Sequence, residues 1–163
     1  MMDFGDDGAV YAETSFPHNP FASPSRILLV EDDARFAATL RDAVIEVGLE
    51  PVLVGAIDDD FVAFTRRCAP AVVVVDLFLP TADALRLGRW IGGLCRGPVI
   101  VVVPGSTSPA IPEAATDRLR VLRRPVAPDV LAHTLAQIVR MRRWSVPRGA
   151  IGEIGIDPDA KSA

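Results

Sequence analysis

Residues 71–80 constrain the fold of this chain more than any other stretch. Four consecutive valines at 72–75 precede Asp76, and a short loop then runs to Pro80. An unbroken β-branched run is typical of a strand buried on both faces, as at the centre of a parallel sheet. Doubly wound sheets bind ligands beyond the carboxyl ends of such strands, although Asp is also a common turn residue. Asp76 is therefore the first candidate functional residue.

A second acidic group follows another apolar run. Residues 27–30 are aliphatic, and Glu31, Asp32 and Asp33 come directly after them. If the two runs are adjacent parallel strands, their carboxylates meet at one edge of the sheet, where like charges repel unless a cation neutralises them. Ligand sets made only of oxygen suit a hard ion. The sequence therefore predicts an Mg²⁺ site at Glu31, Asp32 and Asp76.

Apolar patterns along the rest of the chain predict strands that alternate with helices. Further strands are expected at 52–54, 99–103 and 121–122. Three prolines and a glycine within 104–112 leave room only for a shortened fourth helix, over 113–119. With right-handed crossovers, these elements predict an α/β fold. It is a flavodoxin-like, doubly wound, five-stranded parallel sheet of order 2-1-3-4-5.

Composition divides the chain into one domain, 26–144, and two tails. Residues 1–25 mix Gly, Pro, Ser and acids without periodicity, and 145–163 also lack a pattern, so we expect a disordered extension and a flexible tail. No apolar run approaches the roughly 18 residues that span a bilayer, and the two cysteines form no disulfide framework. These features predict a cytoplasmic protein. Aromatic residues make up only 6% of the chain, which argues against a platform for nucleic acid.

The motifs and their order resemble the receiver domain of two-component response regulators. The resemblance is carried by residues 27–33, by Asp76 with Pro80, and by Arg124-Pro125, where the family has Lys-Pro. It implies that Asp76 is the phosphoacceptor and that Glu31 and Asp32 hold Mg²⁺ together with the backbone carbonyl of Phe78. It also implies that Arg124 takes the place of the Lys, and that Asp33 is either a helix cap or a ligand through water.

The chain departs from the family at the positions that report phosphorylation. Aligning the strand ends puts Val103 where the family has Thr or Ser, and Val121 where it has an aromatic residue. Neither valine donates a hydrogen bond, and the hydroxyls at 106–108 are the only nearby substitutes. Arg124 keeps the charge of the Lys but is a planar fork, so the exchange is not conservative. These departures predict a weakened switch.

Three functions remain open, in this order. The first is a receiver that accepts a phosphoryl group from a histidine kinase or phosphotransferase. We expect no attached output domain, and its output is therefore expected to be binding to an unknown downstream protein. The second is a pseudo-receiver that binds partners without phosphorylation. The third is a phosphatase of the haloacid dehalogenase type, but Phe78 stands where that family needs a second Asp. We expect no enzymatic activity and no membrane or nucleic-acid partner, and the oligomeric state, with a homodimer among the options, stays open.

Overall fold

The computed structural model of the chain describes residues 24–105, 116 and 118–144. Strands and helices alternate along residues 26–103, as the apolar patterns predict, and a strand and a helix follow at 119–144. In chain order the elements are β1 Arg26–Glu31, α1 Ala34–Glu46, β2 Glu50–Val54, α2 Phe61–Cys68, β3 Val72–Asp76, α3 Thr81–Leu94, β4 Val99–Val103, β5 Leu119–Arg123 and α4 Pro128–Trp144.

The five strands form one parallel sheet in the order β2-β1-β3-β4-β5. This confirms the predicted flavodoxin-like architecture. Every residue of β3 and β4 is buried, as expected for strands covered on both faces. Apolar residues of α1 and α4 pack against one face of the sheet, and those of α2 and α3 pack against the other. The core is therefore two aliphatic layers, with β3 in the middle position of the sheet.

The region after β4 differs in detail from the prediction. Residue Leu119, expected at the end of a short helix, instead begins β5, and Thr116 forms an isolated antiparallel bridge with it. The strand predicted at 121–122 is thus longer at both ends. Residues 106–115, with the hydroxyls at 106–108, lie outside the described residues. So do the predicted tails, apart from Pro24 and Ser25.

The sequence predicts no membrane-spanning segment, and the lengths of the helices can be compared with that prediction. Within the described ranges, no helix is both long and apolar enough to cross a bilayer.

Candidate functional site

The parallel pairing of β1 and β3 brings the two predicted acidic positions together. Glu31 and Asp76 are register partners at the carboxyl ends of these neighbouring strands. Both side chains are buried, with 5% and 2% of the residue surface exposed. Buried carboxylates are rare unless something pairs with them. The contacts of each one therefore need to be accounted for.

Glu31 has one satisfied and one unsatisfied carboxylate oxygen. Its Oε1 accepts a hydrogen bond from the backbone N–H of Asp33 at 2.8 Å. Its Oε2 is buried without a hydrogen-bond partner among the residues that the structure describes. Burial raises the pKa of the Glu31 carboxyl, the Asp33 N–H opposes this, and the charge of Asp32 adds to the rise. Glu31 therefore has a free oxygen and a charge that is costly to keep.

Asp32 and Asp33 have separate roles in the loop that follows Glu31. Asp33 is the N-cap of α1, and its side chain accepts hydrogen bonds from the backbone N–H groups of Arg35 at 2.9 Å and Phe36 at 3.2 Å. Such bonds satisfy amides that the first turn of a helix leaves unpaired. Of the two roles considered for Asp33, the structure supports the cap. Asp32 is exposed.

Arg124 reaches Asp76 from the end of β5. Its backbone N–H donates to the carbonyl of Val103 at 2.9 Å, which fixes the start of the side chain beside β4. Its guanidinium Nη2 forms an ion pair with Asp76 Oδ1, and the two side chains are 24% and 3% exposed. Neither atom has a hydrogen-bond partner elsewhere among the described residues. The cation thus neutralises the carboxylate that the sequence marks as the phosphoacceptor.

Phe78 covers the other side of the same guanidinium. Its ring centroid lies 3.4 Å from Arg124 Cζ, a stacked cation–π arrangement. Phe78 has φ +51°, in the left-handed region that a bulky residue rarely adopts. The residue is also 59% exposed. The turn after β3 therefore places an aromatic ring directly over the cation that pairs with Asp76.

Val103 and Val121, which stand where the resemblance predicts a hydroxyl and an aromatic residue, make only apolar contacts. Val103 is fully buried at the end of β4, and Val121 is partly buried against the same apolar layer. A valine side chain has no polar atom to direct at Asp76. The carboxyl edge of the sheet thus has no side-chain hydroxyl from either position.

The donors at this edge suit a hard cation in type but are not gathered around one. Glu31 Oε2 is an unpaired buried oxygen, and Asp76 supplies a second buried carboxylate. Across the described part of the chain, however, no three His, Cys, Asp or Glu side chains are grouped closely enough to hold a metal ion. Asp32 is exposed, and Asp76 is paired with Arg124.

Two features of the site were not foreseen from the sequence. Phe78 was predicted to contribute only its backbone carbonyl, whereas its ring contacts Arg124. The direct pairing of Arg124 with Asp76 was also not predicted. The signal was present in the exchange of Lys for Arg, because a planar guanidinium stacks on aromatic rings more readily than a Lys ammonium does.

No family model matches the chain, but it is similar to parts of several known proteins. Protein-glutamate methylesterase/protein-glutamine glutaminase 5 of Anaeromyxobacter dehalogenans is 34% identical over 104 residues, which are 61% of this chain and 28% of the relative. The C4-dicarboxylate transport transcriptional regulatory protein DctD of Pseudomonas aeruginosa is 28% identical over 131 residues, 78% of this chain and 28% of the relative. The chain thus spans less than a third of the length of these two curated relatives.

Solved structures give the same result across most of the described domain. The signal receiver domain of a signal transduction histidine kinase from Syntrophus aciditrophicus is 26% identical, with a TM-score of 0.57, over 76% of this chain and 93% of that one. The signal receiver domain of a LuxO repressor protein from Vibrio parahaemolyticus has the same fold at 23% identity, with a TM-score of 0.57, over 75% of this chain and 95% of that one. The sheet order and these matches show that the described part of the chain has the fold of a CheY-like receiver domain.

Proposed function

We propose that this receiver domain accepts a phosphoryl group on Asp76 in a Mg²⁺-dependent phosphorelay. The observation that carries the proposal is the meeting of Asp76, Glu31 and Arg124 at the end of the central strand. It supplies a buried carboxylate nucleophile, an acidic oxygen free for a metal, and a fixed cation. Phosphoryl transfer to a carboxylate needs these three parts.

In the proposed step, a carboxylate oxygen of Asp76 attacks the phosphorus of the donor. A new O–P bond forms, and the P–N bond to the histidine of a kinase or phosphotransferase breaks. The bonding electrons leave with the imidazole nitrogen, which takes up a proton. Arg124 would hold the oxygens of the phosphoryl group, since a guanidinium matches their geometry.

Glu31, Asp32 and Asp76, with the backbone carbonyl of Phe78, are the residues that would hold Mg²⁺. When bound, the ion would offset negative charge on the phosphoryl oxygens. Glu31 Oε2 is ready for this role because it is buried without a partner among the described residues. Asp32 is exposed and would have to turn inward. Asp76 is paired with Arg124 in this structure, so its carboxylate would become available to the ion once Arg124 turns away.

We propose that phosphorylation changes the conformation of the domain only weakly, and that a protein partner binds the changed conformation. A ligand shifts a conformational equilibrium only by binding the two states differently. In the family a hydroxyl at the end of the fourth strand supplies such a difference, and Val103 has none to supply. Arg124 already pairs with Asp76 without a phosphoryl group, so part of its contact is common to both states.

Incubation with acetyl phosphate and Mg²⁺ tests the proposal. Intact mass analysis should show the addition of one phosphoryl group, with acetate as the leaving group. Asp76→Asn should abolish the addition, whereas Asp59→Asn, which removes an exposed acid, should leave it unchanged. Label that persists in Asp76→Asn would place the acceptor elsewhere.

A pseudo-receiver is the second candidate, and two observations favour it. Asp76 is already paired with Arg124, and the buried Val103 lacks the hydroxyl that would bond a phosphoryl group. If the folded wild type takes up no label at saturating acetyl phosphate and Mg²⁺, the phosphorelay proposal is wrong and this second function replaces it.

A further inference from the structure

We propose that Phe78 is a positioning residue that holds Arg124 on Asp76, so that the site stays closed until a cation or phosphoryl donor displaces the guanidinium. The inference rests on the proposed function and adds a means of regulating the same site. Arg124 contacts Asp76 and is the group that acts directly. Phe78 acts through Arg124.

The geometry supports a stack that orients the guanidinium. Arg124 Cζ lies 3.4 Å from the centroid of the Phe78 ring, so that the planar cation faces the ring while Nη2 contacts Asp76. A flexible Arg side chain loses rotamer freedom when it pairs with a buried carboxylate. A ring that already restricts the guanidinium plane reduces the freedom that remains to be lost.

The surroundings of Phe78 indicate that its position serves Arg124 and not the core. The residue is 59% exposed, and it belongs to neither apolar layer of the fold. Its φ of +51° is unfavourable for a bulky side chain. An exposed aromatic residue in an unfavourable conformation is best explained by a contact that the turn must make. The contact that the structure provides is the Arg124 guanidinium.

The stack has a direct consequence for cation binding. Asp76 Oδ1 is engaged by Arg124, and a divalent cation at the same carboxylate would be repelled by the neighbouring guanidinium. Cation entry therefore requires Arg124 to turn away, which breaks its stack on Phe78. A stronger stack should lower the affinity for Mg²⁺, and a weaker one should raise it.

Three apolar residues at position 78 that differ in how strongly they attract a cation provide a graded test. Isothermal titration of Mg²⁺ into the full chain should give the highest affinity for Phe78→Leu, an intermediate one for wild type and the lowest for Phe78→Trp, because Trp is the strongest ring partner for a cation. Leu, Phe and Trp all have a Cβ, so the unfavourable positive φ at position 78 costs a similar free energy in each protein. The gain for Phe78→Leu should lie between about twofold and thirtyfold.

A double-mutant cycle separates positioning from a general effect on the loop. Combining Phe78→Leu with Arg124→Gln should reduce the Phe78→Leu effect to less than about 1.5-fold, since the ring then has no cation to hold. An equal gain in both backgrounds would overturn the proposal. So would an affinity for Phe78→Leu that is equal to or below that of wild type.

NMR relaxation of the Arg124 side chain tests the role of Phe78 independently of metal binding and phosphorylation. The Arg124 Nε–Hε resonance should report a rigid side chain in wild type and a markedly more mobile one in Phe78→Leu. If the chain binds no Mg²⁺ and takes up no label, the proposed function fails while this comparison still tests the stack. Equal order of Arg124 in the two proteins would overturn the role of Phe78, whether or not Asp76 is phosphorylated.

Discussion

At the carboxyl edge of the sheet, where β1, β3 and β5 end, the charged groups of Glu31, Asp76 and Arg124 lie together and are largely buried. At the amino edge, where the strands begin, Arg26, Arg118 and Arg142 are exposed and donate to backbone carbonyls. Among the described residues, five buried side-chain polar atoms lack a hydrogen-bond partner, and four belong to Glu31, Asp76 and Arg124 at the carboxyl edge. The fifth is the neutral hydroxyl of Thr65 in α2.

The arginines of the amino edge make ordinary structural contacts. Arg118 Nη2 donates to the carbonyls of Gly92 at 3.1 Å and Cys95 at 2.8 Å, at the end of α3. Arg142 Nη2 donates to the carbonyl of Arg96 at 3.1 Å. Cations at such positions satisfy carbonyls that the last turn of a helix leaves unpaired. Arg118 and Arg142 are therefore explained by the end of α3 beside them.

The difference between the edges helps to tell functional charge from structural charge. A buried, incompletely bonded ion is costly, so a fold keeps one where it serves a purpose. An exposed Arg on a helix carbonyl costs little and needs no further explanation. Strongly perturbed groups in a cleft are candidates for function on the same reasoning.

The largest expected effect comes from removing the same residue type at each edge. Arg124→Ala leaves Asp76 buried without its counter-charge, and breaking a buried pair in this way costs about 3 to 5 kcal/mol. Arg118→Ala removes exposed bonds to carbonyls and should cost about 1 kcal/mol or less. Urea unfolding of the metal-free proteins measures both free energies.

A double variant tests why Arg124→Ala lowers the free energy of unfolding. Asp76→Asn combined with Arg124→Ala removes both charges and should recover much of the stability lost in Arg124→Ala alone. A double variant no more stable than Arg124→Ala would show that packing of the arginine side chain, and not the uncompensated carboxylate, causes the loss.

A smaller effect is expected from a matched pair of glycines. A Cβ on Gly97 would collide with the backbone carbonyl of Ala71 at the amino edge, and one on Gly105 would collide with the carbonyl of Arg124 at the carboxyl edge. Each Gly→Ala substitution should lower the unfolding free energy by about 1 to 3 kcal/mol.

The two glycine variants should differ in their effect on the site. Gly105→Ala displaces the backbone of Arg124 and should change the Mg²⁺ affinity measured by calorimetry. Gly97→Ala should leave that affinity at the wild-type value once the protein is folded. If Gly97→Ala altered the Mg²⁺ affinity as much as Gly105→Ala, the claim that only the carboxyl edge belongs to the site would be wrong.

Much of the fold could be predicted because the central strands are continuous aliphatic runs. The four valines of β3 and the run at 99–103 have no other favourable environment than a covered sheet. Parallel topology then places Glu31 beside Asp76 without further information. The start of β5 was missed because the exposed Arg120 interrupts the apolar pattern of an edge strand between Leu119 and Val121.

The pairing of side chains within the site could not be predicted in the same way. Spacing places Arg124 near the correct edge, but does not determine whether its guanidinium contacts Asp76 or turns to solvent. The ring of Phe78 depends on a left-handed backbone conformation that no pattern of residue types indicates. Sequence therefore indicates which residues share an edge, whereas their contacts depend on the local geometry of the turns.

The smallest expected effect is a pH dependence that belongs to the carboxyl edge alone. Burial raises the pKa of Glu31 from its usual 4.5 in the folded, metal-free protein. As the pH rises through this window, the unfolded chain ionises first, so the stability of wild type falls and the full penalty is present above the raised pKa. Glu31→Gln does not titrate, and its Oε1 can still accept from the Asp33 N–H.

The stability of Glu31→Gln relative to wild type should therefore increase as the pH rises from 4 to 7. Urea unfolding with a chelator at several pH values measures this difference. Glu50→Gln is the control at the amino edge, where the carboxylate is 41% exposed beside Arg26 and its removal should matter less. Mg²⁺ should act in the opposite direction and stabilise wild type more than Glu31→Gln, because the ion binds the folded carboxylates. A difference that is independent of both pH and Mg²⁺ would mean that Glu31 is a structural residue and that the comparison of the two edges is wrong.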